Sequence, residues 1–223
     1  MSRVDEVEVF MVDMAAGRRL LSKYEALISS DERERARRFR FEEDRLRYVC
    51  MHAILRTLLS SRINEHPGAI VFKRNRHGKP SMSAACEFNI SYSGNKGLIG
   101  LARLPIGVDI EKVDTEKVTP EMIEEVFGVT EREVFSRGCD DRNVSLFFQG
   151  WVRKESVIKA TGLGISSPLP LVQSRLDCDC YTASYEGAEW FTCDLDCGPG
   201  YAAALTVACT RDLPKIHLRA IAE

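Results

Sequence analysis

Two stretches of helical periodicity, 43–62 and 143–161, each followed by a series of short extended runs, constrain this chain more than any other feature. In the first, Leu46, Val49, Cys50, Ala53, Ile54, Thr57 and Leu58 recur at the spacing that lays one apolar stripe along a helix. Runs of strand character follow at 69–74, 86–93, 97–103 and 106–113, separated by Gly78-Lys79-Pro80, Gly94-Asn95-Lys96-Gly97 and Pro105. The second helix is closed by Gly162, and candidate strands follow it at 171–178, 181–186, 189–195 and 201–209. Asp31 with Glu34 and Thr130 with Glu133 read as capping boxes, and Thr119-Pro120 as an N-cap followed by Pro at the first helical position. Helices then strands, twice over, predict an α+β fold of two similar halves, 1–105 and 106–223, each a small, mainly antiparallel sheet packed with a long helix.

Charge and cysteine usage narrow the function classes. With 31 Lys and Arg against 33 Asp and Glu the net charge is −2, which excludes a globally basic nucleic-acid binder. The most continuous apolar stretch, 201–209, is about half the length of a membrane span, and the acids in the first ten residues are foreign to a signal peptide. A soluble, cytoplasmic protein is expected. The eight cysteines are too scattered for a disulfide scaffold, so reduced thiols are expected. Their only clustering, Cys178 and Cys180 with Cys193 and Cys197, lacks the two-residue spacers of a zinc site, and the sequence assigns these four no role. His52, His66, His77 and His217 show no ligand spacing.

The chemistry concentrates in Ile106-Gly107-Val108-Asp109-Ile110-Glu111. Alternation in a strand puts Val108 and Ile110 on one face and Asp109 and Glu111 on the other, their Cα atoms about 7 Å apart. Along the later helix, Val144, Phe147, Phe148, Trp151 and Ile158 form an apolar stripe, and Glu155 falls on it. Two readings of Glu155 stay open. Lys159, one turn on, offers an ordinary intrahelical ion pair. Alternatively Glu155 projects toward Asp109 and Glu111 to make a three-carboxylate oxygen site for a hard cation, with Lys154 and Lys159 near a bound anion. Magnesium fills its remaining positions with water and phosphate oxygens, so such a site implies a phosphate-bearing ligand.

Asn89, Ser91 and Ser93 alternate onto one strand face as donors near the carboxylate strand, while Phe88, Ile90 and Tyr92 take the core side. The glycines at 94, 97 and 100 lack the Lys-Ser/Thr of a phosphate-binding loop and read as a hairpin. Between 31 and 47, seven arginines interleave with six acids, the pattern of a solvated helix laced with i, i+4 pairs from which a few members are available to a terminal phosphate.

Three blocks, Phe88-Asn89-Ile90-Ser91, Gly107-Val108-Asp109-Ile110-Glu111 and Trp151-x-x-Lys154-Glu155-Ser156-x-x-Lys159, resemble in order and spacing the signatures of the surfactin-type (Sfp-type) 4′-phosphopantetheinyl transferases. Gly78-Lys79-Pro80, Arg37-Arg38-Phe39 and Gly162-x-Gly164-Ile165-Ser166 extend the similarity over roughly residues 29–170. The resemblance implies two α+β halves related by pseudo-twofold symmetry, with coenzyme A and Mg²⁺ between them. It implies transfer of the 4′-phosphopantetheine arm to a serine of an apo acyl, peptidyl or polyketide carrier protein, as in holo-[acyl-carrier-protein] synthases, releasing adenosine 3′,5′-bisphosphate. Asp109, Glu111 and Glu155 would hold the metal, Lys154 and Lys159 would neutralise the leaving group, and Glu155 or a metal-bound water would be the base. Arg35, Arg47, Lys79, Pro80, Ser91, Tyr92 and Lys159 match positions that contact the nucleotide or its phosphates. The carrier would dock on 112–135, where Val118, Met122, Ile123 and Phe127 are the apolar side chains on offer; these residues equally suit a helix packed on its own core. A monomer is expected, with no nucleic acid and no membrane.

Two departures stand out. Tyr92 occupies the place of a histidine common in the family and cannot carry positive charge, and Glu32 replaces a basic residue often seen ahead of Arg35. Rival readings are a magnesium-dependent phosphoryl or nucleotidyl transferase on another nucleotide, and an Arg-rich binding module without catalysis.

Overall fold

The structure, a computed structural model, describes residues 6–15, 21–82, 86–114, 118–135, 141–164, 167–209 and 214–221. In chain order the elements are β1 (Glu6–Asp13), α1 (Leu21–Leu27), α2 (Ser30–Ala36), α3 (Glu42–Ile63), β2 (Lys73–Arg74), β3 (Pro80–Ser81), β4 (Glu87–Ser93), β5 (Lys96–Ala102), β6 (Ile106–Lys112), α4 (Pro120–Val126), α5 (Val129–Arg132), α6 (Asp141–Thr161), β7 (Cys180–Tyr185), β8 (Ala188–Asp194), β9 (Tyr201–Ala208) and β10 (Lys215–Ile221). They make an α+β fold with two four-stranded sheets, β10-β1-β5-β4 and β6-β9-β8-β7, and a two-stranded ribbon, β2-β3.

Among the described residues every strand pairing is antiparallel except β1 with β10, which run parallel with Glu6 opposite Lys215 and Val12 opposite Ile221. Neither of these strands is among the extended runs expected from the sequence. The chain leaves the first sheet at β5, builds the second, and returns to the first at β10, which crosses the division expected at residue 105.

The long helices form where the apolar stripes place them. α3 lays Cys50, Met51, Ile54 and Leu55 on the first sheet against Phe10, Phe88 and Ile99, and ends at Asn64, a left-handed residue (φ 55°) whose amide bonds Ser60 O. α6 packs Phe147, Phe148 and Val152 with Phe127 and Ala204, and stops where Gly162 turns to φ +72°. It lies close on the second sheet because the facing residues are small. A Cβ on Gly107 would clash with the Ser156 carbonyl and the Ala160 amide, and Ser156 Oγ, Thr206 Oγ1 and Thr192 Oγ1 form a buried hydroxyl chain at 2.7 and 2.9 Å.

The two sheets share a core in which Val7, Val9 and Leu98 meet Ile106, Val108, Ile110, Phe191 and Leu205. Their edges also adjoin: β4 and β6 are joined by side chains rather than by a backbone ladder. Asn89 Oδ1 accepts from Val108 N at 2.9 Å, and Ser93 Oγ accepts from Lys112 N at 3.1 Å.

Several local expectations shift. The capping boxes start two residues earlier than the sequence suggests. Ser29, not Asp31, caps α2 with Glu32 bonding back to the Ser29 amide, and at α5 the Gly128 amide bonds Glu131 rather than Thr130 pairing with Glu133. The Thr119 N-cap and Pro120 stand as expected, with Met122 N on Thr119 Oγ1 at 3.4 Å. The run 171–178 is not a strand: Pro168 and Pro170 favour the tight helical turn at Leu169–Leu171, after which the chain is irregular until β7. The run 69–74 yields only β2, preceded by a turn at Pro67–Ala69. Ile165 and Ser166 lie outside the described residues.

Candidate active site

Strand alternation on β6 delivers what it predicts. Val108 and Ile110 are fully buried in the inter-sheet core, while Asp109 and Glu111 point toward α6. Asp109, 2% exposed, accepts two hydrogen bonds on one oxygen: Ser91 Oγ donates to Oδ1 at 2.7 Å and Lys159 Nζ donates to the same atom at 2.5 Å. Its Oδ2 is buried with no partner. Ser93 Oγ donates to Glu111 Oε2 at 2.8 Å. The alternation of Asn89, Ser91 and Ser93 is therefore the device that carries β4 against β6, and it spends its donors on the carboxylates.

Glu155 sits half-buried on the α6 stripe. Its intrahelical neighbour Lys159 is engaged by Asp109 and Ser91, so the ordinary ion-pair reading of Glu155 does not hold. Burial, and next the charge of Asp109, push the Glu155 carboxyl above the usual carboxylate range, opposed by Lys159 and a hydrogen bond from Trp151. Glu111 is raised in the same way, by burial first and Asp109 second, against the Ser93 bond, with Glu155 adding to the repulsion. Three carboxylates thus feel one another across the β6–α6 interface. Among the described residues, however, no group of three or more His, Cys, Asp or Glu stands close enough to enclose a metal ion as it is.

Lys154 departs from its expected place. One residue from Glu155 along a helix is a rotation of about 100°, and its side chain is wholly buried on the other flank of α6. There Nζ donates to Glu131 Oε2 at 2.6 Å, Val172 O at 2.6 Å and Leu169 O at 3.3 Å, which accounts for all three ammonium protons. Glu131 in turn accepts from the Gly128 amide and from the Ser174 amide and hydroxyl. Lys154 ties α5 and the 169–174 segment to α6 and has no proton left for a leaving group. Nothing in the sequence spacing links Lys154 to Glu131, since the pair exists only once α5 docks.

Lys79 also serves the frame. It leads into β3 from the β2–β3 turn, and its Nζ donates to the carbonyls of Ile106 at 3.1 Å and Ala160 at 2.9 Å, fastening the start of β6 to the end of α6. Burial lowers its pKa. Asn75 from the same hairpin donates to Gly162 O at 2.8 Å. Pro80 follows in β3, half-buried.

Arg35, Arg47 and Tyr92 form a second group. Tyr92 neighbours Ser91 on β4 but points the other way, into the α3 side, where it packs on the first-sheet core and feels Arg35, Asp44 and Arg47. Arg47 is paired with Asp44 at 2.8 Å and Glu43 at 3.4 Å. The exposed Arg35 guanidinium lies 5.6 Å from the centroid of the Tyr48 ring. Tyr48, not singled out by the sequence, is 3% exposed, its hydroxyl has no partner, and burial and the charge of Glu32 push that hydroxyl up to about 12. The acid at position 32 is accounted for: Glu32 bonds His52 at 2.8 Å and Arg56 at 2.6 Å. Burial would raise its carboxyl, but those two partners and the Ser29 amide outweigh it and hold it at about 2.

On 112–135, Phe127 and Ile123 are core residues packed with Phe147 and Phe148, and Val118 and Met122 lean on the same cluster. The exposed apolar side chains nearby are Val129, Val134 and Leu171. No helix among the described residues is long and apolar enough to cross a membrane.

Comparison with known proteins gives two adjoining family matches. Residues 105–205 match the model of the 4′-phosphopantetheinyl transferase superfamily, and residues 17–102 match that of the N-terminal part of a 4′-phosphopantetheinyl transferase. A Synechocystis chain named for the same activity is 33% identical over 157 residues, 68% of this chain and 64% of that one. The 4′-phosphopantetheinyl transferase Sfp of Bacillus subtilis is 30% identical over 201 residues, 83% of this chain and 84% of its own. HetI of Nostoc, also named a 4′-phosphopantetheinyl transferase, is 31% identical over 168 residues, 73% and 71% of the two chains.

Proposed function

The chain belongs to the 4′-phosphopantetheinyl transferase superfamily, and from that premise we propose that it transfers the 4′-phosphopantetheine arm of coenzyme A to a serine hydroxyl of an apo carrier protein, releasing adenosine 3′,5′-bisphosphate. The observation that carries this reading is the junction at Asp109, where Lys159 and Ser91 converge on one buried oxygen and the other is left without a partner.

That orphaned oxygen, with two further carboxylates held above their usual range beside it, is chemically suited to a hard divalent cation, for which an all-oxygen donor set is the preferred environment. Asp109, Glu111 and Glu155 would hold Mg²⁺, which when bound neutralises charge on the pyrophosphate of coenzyme A. Lys159, fixed at the same junction, stands ready to stabilise the oxygen that leaves, as transfer of this type needs positioning and charge neutralisation more than covalent help. Glu155, or a water on the metal it would help to hold, is the group to take the proton from the carrier serine, since its carboxylate stands half-buried at the same junction as Lys159 and Asp109. Lys154 acts through the frame, by holding α5 to α6. Arg35, Arg47, Tyr48 and Tyr92 would meet the nucleotide end, with phenol hydroxyls in place of a cationic side chain.

We read the two halves, 1–105 and 106–223, as related by a pseudo-twofold axis, on the support that each long helix lies on a mainly antiparallel sheet drawn from its own half, the first completed by β10 from the second. A monomer is the expectation from that reading. The experiment is intact-mass spectrometry of apo carrier proteins of the fatty-acid, polyketide and nonribosomal-peptide classes, incubated with the protein, coenzyme A and Mg²⁺. Gain of one phosphopantetheine, lost with EDTA and with Glu155→Gln, is the expected result. Absence of gain on every carrier together with no binding of coenzyme A in calorimetry would refute it.

A further inference from the structure

Cys180 and Cys193 face each other across the β7–β8 hairpin. The hairpin turns through Glu186 and Gly187, both at positive φ (52° and 73°), a two-residue turn whose twist suits the flanking strands. In such a hairpin the closing pair, Tyr185 and Ala188, exchanges backbone hydrogen bonds, and every second pair does so after it. At the open end Asp194 N donates to Asp179 O at 2.8 Å, in phase with that alternation. Cys180 and Cys193 therefore form a non-hydrogen-bonded pair, where Cα atoms approach to ~4.5 Å, inside the ~4.4–6.8 Å that a disulfide spans. Both side chains stand on one face.

The two thiols share one face of the hairpin as cross-strand partners. Burial, and after it the Cys180 sulfur beside it, hold the Cys193 thiol well above the ordinary thiol range. Their access differs: Cys180 is exposed on the edge strand, whereas Cys193 is 3% exposed within the inter-sheet core beside Phe191 and Leu205. An accessible thiol backed by a buried one, already in register, needs no backbone movement to become a crosslink.

We propose that Cys180 and Cys193 are a modification site that closes to a reversible disulfide in the presence of a low-molecular-weight disulfide. The Cys180 thiolate, having released its proton to solvent, attacks one sulfur of the small disulfide, forming a mixed disulfide and expelling one small thiolate. Cys193, losing its proton in turn, attacks the Cys180 sulfur, closing the protein disulfide and expelling the second small thiolate. Two electrons and two protons pass from the protein thiols to the oxidant, which leaves as two small thiols. The second step is intramolecular, and that proximity offsets the poor ionisation of Cys193. The bond staples edge strand β7 to β8, next to Asp194, whose carboxylate grips Arg153 of α6 through Nε at 2.7 Å and Nη2 at 2.5 Å.

The test equilibrates the full chain with oxidised and reduced glutathione over a range of ratios, quenches with iodoacetamide under denaturing conditions and maps peptides by mass spectrometry. The expected product links the Cys180 and Cys193 peptides, is lighter than their sum by two hydrogens, and disappears on reduction; the oxidised chain melts higher than the reduced one. Cys180→Ser, at an exposed position, should keep the circular-dichroism spectrum and leave Cys193 fully alkylated. A glutathione adduct that stops at Cys180, a link from Cys180 to any other cysteine, or full alkylation of both residues at ratios that oxidise a simple dithiol peptide would each overturn the proposal.

Discussion

Lys159 and Glu155 lie one turn apart on α6, yet the Lys159 ammonium bonds Asp109 on β6 at 2.5 Å rather than the carboxylate of its own helix. The consequence is electrostatic: the cation that would make Glu155 ordinary is committed elsewhere, and Glu155 keeps a raised pKa in a half-buried position.

That commitment has a measurable price in stability. With Asp109 3% and Lys159 29% exposed at the side chain, Lys159→Gln leaves a buried carboxylate held by Ser91 alone. The loss is expected to be about 2 kcal/mol, below the usual figure for a buried pair because the lysine is partly solvated. Adding Asp109→Asn should recover most of that stability in urea melts, while neither variant regains transfer activity.

Glu111 and Glu155 should show stability and activity moving in opposite directions. Their folded-state pKa values lie above the unfolded value of 4.5, so the folded protein binds the extra protons and stability falls as pH rises from 4.5 through the raised values. Replacement by Gln removes that penalty. Glu111→Gln or Glu155→Gln is expected to raise the melting temperature of the ligand-free protein at pH 7.5 by about 2–4 °C, and Glu155→Gln to lower turnover by about 10²–10⁴-fold.

Glu32 carries the opposite sign. Its carboxyl is held at about 2 against an unfolded value of 4.5, so its contribution is complete above pH 4.5 and is lost as pH falls from there through 2. The difference in unfolding free energy between the parent and Glu32→Gln should be largest at neutral pH and shrink toward pH 2. A pH-independent difference would contradict the ion-pair origin.

For Lys154 the prediction is structural. Lys154→Met strands the Glu131 carboxylate and is expected to cost about 3–5 kcal/mol, whereas the fraction that remains folded should turn over nearly as fast as the parent. Pairing it with Glu131→Leu should restore stability. A large fall in turnover of the folded variant, with stability unchanged, would return Lys154 to the chemistry.

Tyr48 and Tyr92 separate packing from recognition. Because the Tyr48 hydroxyl is buried with no partner, Tyr48→Phe should leave the ligand-free protein as stable or more stable by about 1 kcal/mol. If the hydroxyls meet a phosphate of the nucleotide, Tyr48→Phe and Tyr92→Phe should both weaken coenzyme A in calorimetry. Unchanged titrations would assign both rings to the core alone.

What the sequence discloses and what it conceals divide along physical lines. The placement of Asp109 and Glu111 opposite Val108 and Ile110, and the row of Asn89, Ser91 and Ser93, follow from a period of two that no tertiary context alters. The limits of α6 follow from its stripe and from Gly162. Two frames of the capping pattern overlap at Ser29–Glu34, and only the burial of Glu32 beside Arg56 selects the earlier one. Lys154 looks like a partner of the phosphate because the sequence cannot weigh α5, whose Glu131 claims it. β1 carries a local alternation in Glu6-Val7-Glu8-Val9 that its acids mask, whereas β10 escapes because its partner lies about two hundred residues away, a separation that local periodicity does not encode.

The return of β10 to the side of β1 also bears on how the chain is made. On a ribosome, β1 emerges well before its outer neighbour, which follows only when residue 221 has cleared the exit tunnel. Until then one edge of the first sheet, carrying Val7 and Val9, is open to pairing with any strand that passes, including that of another nascent copy. The second sheet, whose four strands span 106–208, must itself wait for β9 to seat β6, but it is complete before β10 emerges. The first sheet is therefore expected to be the first begun and the last finished, its β1-β5-β4 part formed by residue 102 and its outer strand added only after the carboxylate-bearing β6 is paired with β9.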